Sequence, residues 1–354
     1  MITIDGSFGE GGGQILRSSL ALSLVTGKPF RIERIRAGRK NPGLQRQHLT
    51  AVRAAAEVSR AELEGDRPGS TTLVFQPGAV RPGDYHFSIG TAGSTTLVVQ
   101  TVLPALMLAP APSRLVLEGG THNMNAPPFD FLQQAFLPLL GRIGLNVAAQ
   151  LARYGFYPVG GGRFSVDIQP PGPRNRLELV ERGAIVRRAV RGLVSRLPLH
   201  IPRREVQTVL AELDWPEQCG SVAEVDAPGP GNVVLIEIQS EQVAEVFVGF
   251  GQRGVPAETV ARGAAQQAAR YLASGVPIGE HLADQLLLPL ALAAGGVFRT
   301  LAPSNHTQTN LETLKHFVGI EAAVEQVEQE AWQVRIEPAS VVKRPEGPVG
   351  GGSS

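Results

Sequence analysis

A three-fold internal similarity is the feature that most limits what this chain can fold into. Three times along the 354 residues, a Gly-rich or polar turn leads into an apolar, helix-like pattern. The three segments read GGGQILRSSLALSLVTG, GTAGSTTLVVQTVLPALMLA and GEHLADQLLLPLALAAGG. Because one pattern recurs at wide spacing, each segment is predicted to open a repeated structural unit.

Each unit also predicts a second helix that follows a polar or Pro-bearing turn. These helices fall in NPGLQRQHLTAVRAAAEVS, NAPPFDFLQQAFLPLLGRIG and SNHTQTNLETLKHFVG. Strand-like alternations such as FRIERIRA, RLVLEGG and WQVRIEP lie between and after them. We therefore predict an α+β fold in which three repeated units each place two helices against a small sheet.

The segment 184–275 does not follow the repeat. Its patterns alternate strand-like AIVRRAVRGL and NVVLIEIQSE with helix-like PRREVQTVLAELD and VPAETVARGAAQQAARYLASG. We predict a large catalytic domain at 1–183 and 276–338, a smaller inserted α/β domain at 184–275, and a tail at 339–354. The end of this tail, PEGPVGGGSS, lacks packing residues and is expected to be disordered.

Composition narrows the class of protein. Hydrophobic residues make up 43% of the chain and charged residues 18%, as in globular proteins. The single Cys219 excludes an intramolecular disulfide and a multi-cysteine zinc site, and suits a reducing compartment. The N-terminus lacks a signal-peptide pattern, and the apolar runs are too short and Pro-broken to span a bilayer. We expect a cytoplasmic protein with no membrane role.

Charge is clustered although the net charge is only +1. Residues 31–60 hold eight Lys or Arg against two Glu, and residues 182–204 hold seven Arg and no acidic residue. Such runs form either phosphate-attracting patches or ordinary solvated faces. In the first run, Arg36 and Arg39 flank a Gly turn, and Gln47 and His48 lie one turn into the predicted helix. With Arg17, they are candidates for holding a terminal phosphate and its sugar, because guanidinium groups bind phosphate bidentately.

Three other stretches carry candidate chemistry. GEGGGQ (9–14) matches no nucleotide fingerprint, but its Glu10 suits a hydrated divalent cation near phosphates. Gln100 interrupts the buried side of an apolar helix, where a glutamine needs partners. In HLADQ, residues His281, Asp284 and Gln285 share one helix face, which suits a base, a metal and a phosphate. The alternatives are a tight turn, a loop contact and a charge that complements the helix dipole.

His306 lies in SNHTQTN, just before the predicted helix NLETLKHFVG. A helix N-terminus disfavours the cationic imidazole, so a nitrogen lone pair stays available to attack an α-phosphorus. The alternative is a residue that merely neighbours a helix cap. No H-x-x-x-H, H-E-x-x-H or G-x-S-x-G pattern is present, so hydrolase hypotheses lack a motif.

Six ordered stretches together resemble the RNA 3′-terminal phosphate cyclase family over nearly the whole chain. They are GEGGGQILRSSLALS, RAGRKNPGLQRQHL, GTAGSTTLVVQTVLPAL, GFYPVGGG, GEHLADQL and SNHTQTN. The resemblance implies three repeats of two helices on a four-stranded sheet, plus the small inserted domain. It also implies a nucleotidyl-transferring, ligase-type enzyme of RNA processing.

The resemblance assigns roles residue by residue. It makes His306 the catalytic nucleophile that becomes adenylylated by ATP, and Glu10 and Asp284 the residues near a Mg²⁺ or Mn²⁺ ion. His281, often Tyr in the family, would stack on adenine. The implied ATP-binding residues are Gln100, Pro127, Pro128, His281, Leu282, Ala283, Asp284 and Gln285. The implied RNA phosphate-binding residues are Arg17, Arg36, Arg39, Gln47 and His48.

The implied reaction converts an RNA 3′-terminal phosphate to a 2′,3′-cyclic phosphate through a histidine-AMP intermediate and an adenylylated RNA end. Two rivals stay open. One is a non-catalytic cyclase-like protein that binds RNA or assists ribosome assembly, although such relatives lack the histidine. The other is an enolpyruvyl transferase, which would need a Lys and Arg set although Lys is scarce here. The sequence leaves the oligomeric state open, with a homodimer as one alternative.

Overall fold

The computed structural model describes residues 1–320 and 322–340. The first repeat forms a four-stranded sheet in the order β1-β2-β4-β3. Its elements are β1 (Ile2–Asp5), α1 (Gln14–Thr26), β2 (Phe30–Glu33), α2 (Arg46–Ser59), β3 (Glu62–Glu64) and β4 (Leu73–Gln76). Helix α1 ends at Gly27, whose φ of 70° lies in the left-handed region that glycine adopts without strain.

The second repeat has a sheet in the order β5-β6-β8-β7. Its elements are β5 (Asp84–Ser88), α3 (Thr95–Leu106), β6 (Ser113–Gly119), α4 (Phe129–Phe131), α5 (Leu137–Arg142), β7 (Val147–Arg153) and β8 (Gly162–Ile168). The expected second helix is not continuous, because a π-helical turn at Leu132–Phe136 joins α4 to α5. Strand β6 shows the predicted alternation, with every second side chain buried.

The third repeat begins with β9 (Leu177–Leu179) and is then interrupted. The interrupting segment has its own sheet, in the order β11-β10-β12-β13, and contributes most of a second apolar cluster. Its elements are β10 (Ile185–Ser195), α6 (His200–Glu212), β11 (Gly220–Glu224), β12 (Gly231–Ser240), β13 (Ala244–Phe250) and α7 (Ala257–Ser274). We call this segment the insertion; its predicted domain boundaries stay a prediction.

After the insertion the third repeat continues with α8 (Glu280–Leu292), β14 (Gly296–Thr300), α9 (Asn305–Val318), β15 (Ala322–Glu328) and β16 (Ala331–Ile336). Its sheet, β15-β16-β14-β9, has the same topology as the first two. In all three, the first and second strands pair in parallel and the other pairs are antiparallel. The predicted α+β fold of three repeated units is therefore confirmed.

The repeats share one core. Helix α1 packs against α3 and α9, so the first helices of two repeats and the last helix of the third meet at the centre. One apolar cluster runs through all three repeats, from Ile4 through Val99 to Leu290. This packing brings together the N-terminal ends of helices that are far apart in the chain. Within the described residues, no helix is both long and apolar enough to cross a membrane. The expected disorder of the tail concerns PEGPVGGGSS (345–354), which lies outside the described residues.

Candidate active site

The glycine-rich loop after β1 brings the first repeat against the third. Gly9 has a φ of 61°, and a Cβ atom at this position would lie 2.1 Å from the Thr309 Oγ1 atom. Only glycine permits this close approach. The backbone N–H of the next residue, Glu10, donates to the same hydroxyl oxygen at 3.2 Å. The loop therefore holds Glu10 beside the first turns of α9.

His306 lies inside the first turn of α9, not before the helix as the sequence pattern indicated. The helix begins at Asn305, and the Ser304 hydroxyl caps it by accepting from the Thr307 N–H at 3.1 Å. A serine cap satisfies one of the free donors of a helix end. The imidazole is thus held at the edge of a well-formed helix.

Gln14 at the start of α1 defines which imidazole nitrogen of His306 is free. The Gln14 Oε1 atom contacts His306 Nδ1, and the Gln14 Nε2 group donates to the His306 backbone oxygen at 3.3 Å. The second bond orients the amide, so Oε1 faces the ring as an acceptor and Nδ1 carries the proton. Nε2 then keeps its lone pair, as a nucleophile requires.

The surroundings of His306 favour the neutral ring. Burial lowers the pKa of His306, and the positive charge of Arg17 lowers it further, followed by smaller effects of His281 and Arg39. A half-buried imidazole next to a guanidinium resists protonation. These surroundings therefore favour the form of His306 that retains a nitrogen lone pair.

Asp284 of α8 forms hydrogen bonds with α9 and its cap, beside the His306 ring. Its carboxylate accepts from the Ser304 hydroxyl at 3.0 and 3.1 Å and contacts the Thr307 hydroxyl, and its backbone oxygen accepts from Asn310 Nδ2 at 2.9 Å. Burial raises the pKa of Asp284 to about 7, although both hydroxyl bonds oppose this rise. This set of contacts fixes the start of α9 against α8.

The first repeat supplies the basic side of the site. Burial lowers the pKa of Arg17 to about 10, so the group stays charged at neutral pH. His48 is buried; its burial and the charges of Arg17 and Arg36 lower its pKa to about 3. Its Nδ1 atom accepts from the Gln45 N–H at 3.2 Å, which leaves Nε2–H as a donor. Gln47 and His48 lie in the first turn of α2, earlier in the helix than predicted.

The guanidinium groups of Arg36 and Arg39 already have partners inside the protein. Arg36 donates to the backbone oxygens of Asn41 at 2.6 Å and Gly43 at 3.0 Å. These bonds stabilise the loop that contains Arg36. Arg39 forms an ion pair with Glu10. A phosphate would therefore have to compete with the Glu10 carboxylate for Arg39.

These groups surround one cavity with a volume of about 1280 Å³. It is lined by thirteen of the predicted residues: Glu10, Arg17, Arg36, Arg39, Gln47, His48, Gln100, Pro127, Pro128, His281, Asp284, Gln285 and His306. Side chains from all three repeats thus converge on one space that can hold a nucleotide and a second phosphate.

Comparison with known proteins identifies the family of this chain. The family model for RNA 3′-terminal phosphate cyclase matches residues 8–324. The chain belongs to this family. Curated relatives named RNA 3′-terminal phosphate cyclase include one from Koribacter versatilis, 51% identical over 93% of this chain and 93% of its own. Another, from Ralstonia nicotianae, is 52% identical over 95% and 96% of the two chains.

A third relative of the same name, from Ectopseudomonas mendocina, is 50% identical over 95% of this chain and 98% of its own. Among solved structures, the enolpyruvyl transferase NikO from Streptomyces tendae aligns with a TM-score of 0.38 at 12% identity. That alignment covers 97% of this chain and 49% of the other, and is too weak to support an argument.

Two residues of the expected ATP-binding set lie elsewhere. The side chains of Leu282 and Ala283 are 0% and 2% exposed and pack in the shared core. They do not line the cavity, because α8 turns them away from the face that carries His281, Asp284 and Gln285. Their side chains face the core, and their assignment to the ATP-binding residues stays a prediction.

The two carboxylates expected near a metal ion share the cavity, and each already has a protein partner. Glu10 pairs with Arg39, and Asp284 accepts from two hydroxyls. Among the described residues, no group of three or more His, Cys, Asp or Glu is placed to hold a metal ion. The donors fit an ion of the Mg²⁺ type, which uses one or two carboxylates together with substrate phosphates and water.

The structure adds residues that the sequence analysis gave no individual role, although three of them lie inside the quoted motifs GEGGGQ and SNHTQTN. Gln14, Ser304 and Asn310 line the cavity, and only their polar character inside otherwise helical stretches hinted at a role. The insertion contributes an apolar wall from β13 and α7, including Val246, Phe250 and Val260. No local signal predicts such a wall, because it depends on how the insertion packs against the repeats.

Proposed function

We propose that this protein converts an RNA 3′-terminal phosphate to a 2′,3′-cyclic phosphate in an ATP-dependent reaction. Family membership supports the reaction class. The observation that carries the proposal is the Gln14–His306 contact, which leaves the Nε2 atom of a neutral imidazole free in a cavity with a basic side. ATP and an RNA 3′-phosphate are the substrates that such a cavity suits.

In the first step, His306 Nε2 attacks the α-phosphorus of ATP. The N–P bond forms while the bond from this phosphorus to the pyrophosphate oxygen breaks. Gln14 keeps the imidazole in the reactive tautomer, and the Asp284–Ser304–Thr307 contacts keep the ring at the helix end. Glu10 and Asp284 would hold a Mg²⁺ or Mn²⁺ ion, which would neutralise charge on the leaving pyrophosphate.

The nucleotide and the RNA end occupy different sides of the cavity in this proposal. Gln100, Pro127, Pro128 and the exposed face of α8 hold ATP, with His281 stacked on the adenine. Arg17, Arg36, Arg39, Gln47 and His48 hold the RNA 3′-phosphate. The Nε2–H donor of His48 and the charge of Arg17 suit a phosphate oxygen, because charge-assisted hydrogen bonds are the strong ones.

The second and third steps use the same basic side. An oxygen of the RNA 3′-phosphate attacks the phosphorus of His306-AMP, so the N–P bond breaks and an RNA-linked pyrophosphate forms. The neighbouring 2′-hydroxyl then attacks the 3′-phosphorus, loses its proton and expels AMP as the ring closes. Because the last step is intramolecular, positioning of the ribose supplies much of its acceleration.

Incubation of the protein with α-labelled ATP and Mg²⁺ or Mn²⁺ tests this proposal. We expect label on the protein through an acid-labile, base-stable bond, and its loss in His306→Ala. His316→Ala is the matched control, because His316 lies on the same helix, exposed and paired with Glu312 at 3.3 Å. Full labelling of His306→Ala would move the nucleophile elsewhere. An unlabelled wild-type protein would favour a non-catalytic, RNA-binding cyclase-like protein.

A further inference from the structure

A polar contact joins the insertion to the first turn of α8. Glu245 lies on β13 and is 2% exposed. Its Oε1 atom accepts from the backbone N–H of Gly279 at 2.6 Å. Gly279 is the N-cap residue of α8, the helix that presents His281 and Asp284 to the cavity. A side chain from a different segment thus satisfies a donor at the start of a site-bearing helix.

The fit at this contact is close. The Gly279 position has no side chain of its own, so α8 lacks a side-chain cap from its N-cap residue. A Cβ atom at position 279 would approach the Glu245 Oε1 atom to 3.0 Å, which is tighter than ordinary packing. Helix N-termini leave N–H groups that need an acceptor, and an unsatisfied buried donor is costly. Glu245 therefore supplies the acceptor for the Gly279 N–H, at a position where no side chain would fit without displacing the carboxyl.

The Glu245 carboxyl is held mainly in its neutral form. Burial raises the pKa of Glu245 to about 8, against the opposing effect of hydrogen bonds from the Gly279 and Val246 backbones. Tyr271 of α7 is the titratable group whose charge couples to it, and Arg182 lies over the Tyr271 ring. A glutamine, which also offers a neutral oxygen acceptor, is therefore the matched replacement for this side chain.

We propose that Glu245 is a positioning residue for the nucleotide site, through which the insertion holds the first turn of α8 in place. The same strand also forms part of the cavity wall, since Val246 lines the cavity. The insertion thereby sets where His281 and Asp284 stand relative to His306. This role rests on the proposed function, because it assigns α8 to the nucleotide.

Glu245→Met and Glu245→Gln test the role. Methionine has a similar size but no strong acceptor, so we expect Glu245→Met to raise the KM for ATP in self-adenylylation about tenfold with little change in the KM for RNA. Glu245→Gln keeps the acceptor and should stay within about twofold of the wild type. Restoration by glutamine distinguishes loss of the contact from loss of the charge.

Glu205→Met is the matched control. Glu205 is another buried carboxyl of the insertion, whose pKa burial raises to about 7, and Asn232 donates to both of its oxygens at 2.6 and 2.7 Å. Both partners lie within the insertion, so this variant disturbs the insertion without touching α8. Equal increases of the KM for ATP in Glu205→Met and Glu245→Met would overturn the proposal, because general destabilisation would then explain both.

Amide hydrogen exchange at Gly279–His281 separates this proposal from the proposed function. We expect faster exchange there in Glu245→Met, and wild-type exchange in Glu245→Gln and Glu205→Met. Unchanged exchange in Glu245→Met would overturn the positioning role even in a fully active protein. A wild-type protein that takes no label from ATP would instead defeat the proposed function, and the exchange result would still decide whether Glu245 holds α8.

Discussion

The two basic runs of this chain look alike in sequence and differ in the structure. The run at 31–60 contributes Arg36, Arg39, Gln47 and His48 to the cavity. In the run at 182–204, five of the seven arginines have partners inside the protein. Arg182 donates to the Tyr271 and Leu272 backbone oxygens at 3.0 and 2.9 Å.

The partners of the other four arginines are side chains of the protein. Arg188 lies over the Trp215 ring at 5.9 Å, and Arg204 pairs with Glu258 at 2.7 Å. Arg191 pairs with Glu237 at 2.5 Å and with Asp130 of the second repeat, and Arg187 lies 3.6 Å from Glu237. Partners alone do not separate the two runs, because Arg36 and Arg39 also have partners inside the protein. The difference is that Arg36 and Arg39 line the cavity of the candidate site, whereas none of the seven arginines at 182–204 does.

Among the substitutions that test this comparison, Arg191→Met should have the largest effect, and it should act on stability. Asp130 and Glu237 are 6% and 5% exposed, and removal of their shared cation leaves two buried carboxylates less well compensated. We expect the free energy of unfolding to fall by about 3 kcal/mol, as for broken buried ion pairs, in chemical denaturation. Weaker RNA binding by a protein of unchanged stability would instead make the second run an RNA-binding surface.

Arg39→Ala tests the first run. We expect self-adenylylation to stay largely intact while consumption of RNA 3′-phosphate slows about 10- to 100-fold, the usual effect of losing a charged hydrogen bond. Single-turnover assays with preformed protein-AMP measure the second step alone. If both steps slow equally, the separation of the cavity into ATP and RNA sides is wrong.

Arg17→Met probes how the basic side influences the nucleophile. The Arg17 charge is, after burial, the larger contribution to the lowered pKa of His306. Without it the pKa should rise, so the ring becomes protonated and inactive at a higher pH than in the wild type. The measurement is the rate of self-adenylylation as a function of pH, and the acid limb of this profile lies between about pH 5 and pH 8. An unmoved limb would show that Arg17 does not influence the ring.

Arg204→Ala should have the smallest effect. Its pair with Glu258 lies at the surface, and such pairs contribute little to stability because solvent screens them. We expect a small change in the thermal unfolding midpoint, which added salt reduces further. RNA affinity should not change. A clear loss of RNA affinity would place at least this part of the second run at the substrate.

The repeat pattern predicted the fold well because the periodicity of helices and strands is visible within short stretches of sequence. Helices α1, α3 and α8 show their apolar runs directly, and strands β6 and β16 show clear alternation. The three-residue strands β3 and β9 are too short for a pattern to reveal, and they form because their neighbours in the sheet supply hydrogen bonds. The prediction of family membership is confirmed, whereas the catalytic and binding roles of individual residues stay predictions.

The sequence analysis differed from the structure at the site where helix caps and contacts between distant residues determine the local structure. The start of α9 is set by the Ser304 cap, which lies earlier than the amphipathic pattern suggested. Leu282 and Ala283 lie within the HLADQ motif, and helical geometry directs their side chains into the core, so their predicted contact with ATP stays a prediction. Gln14 and Glu245 were missed because their partners, His306 and Gly279, are distant in sequence.

The contact between Gln14 and His306 joins residues that are 292 positions apart in the chain. During synthesis on the ribosome, the first repeat emerges long before the helix that carries the imidazole. Until α9 leaves the exit tunnel, a nascent chain has the glycine-rich loop and the arginines but not the ring that would accept a nucleotide. If His306 is the acceptor, as proposed, premature termination before residue 306 would yield products without a nucleotide acceptor, however well their earlier repeats fold.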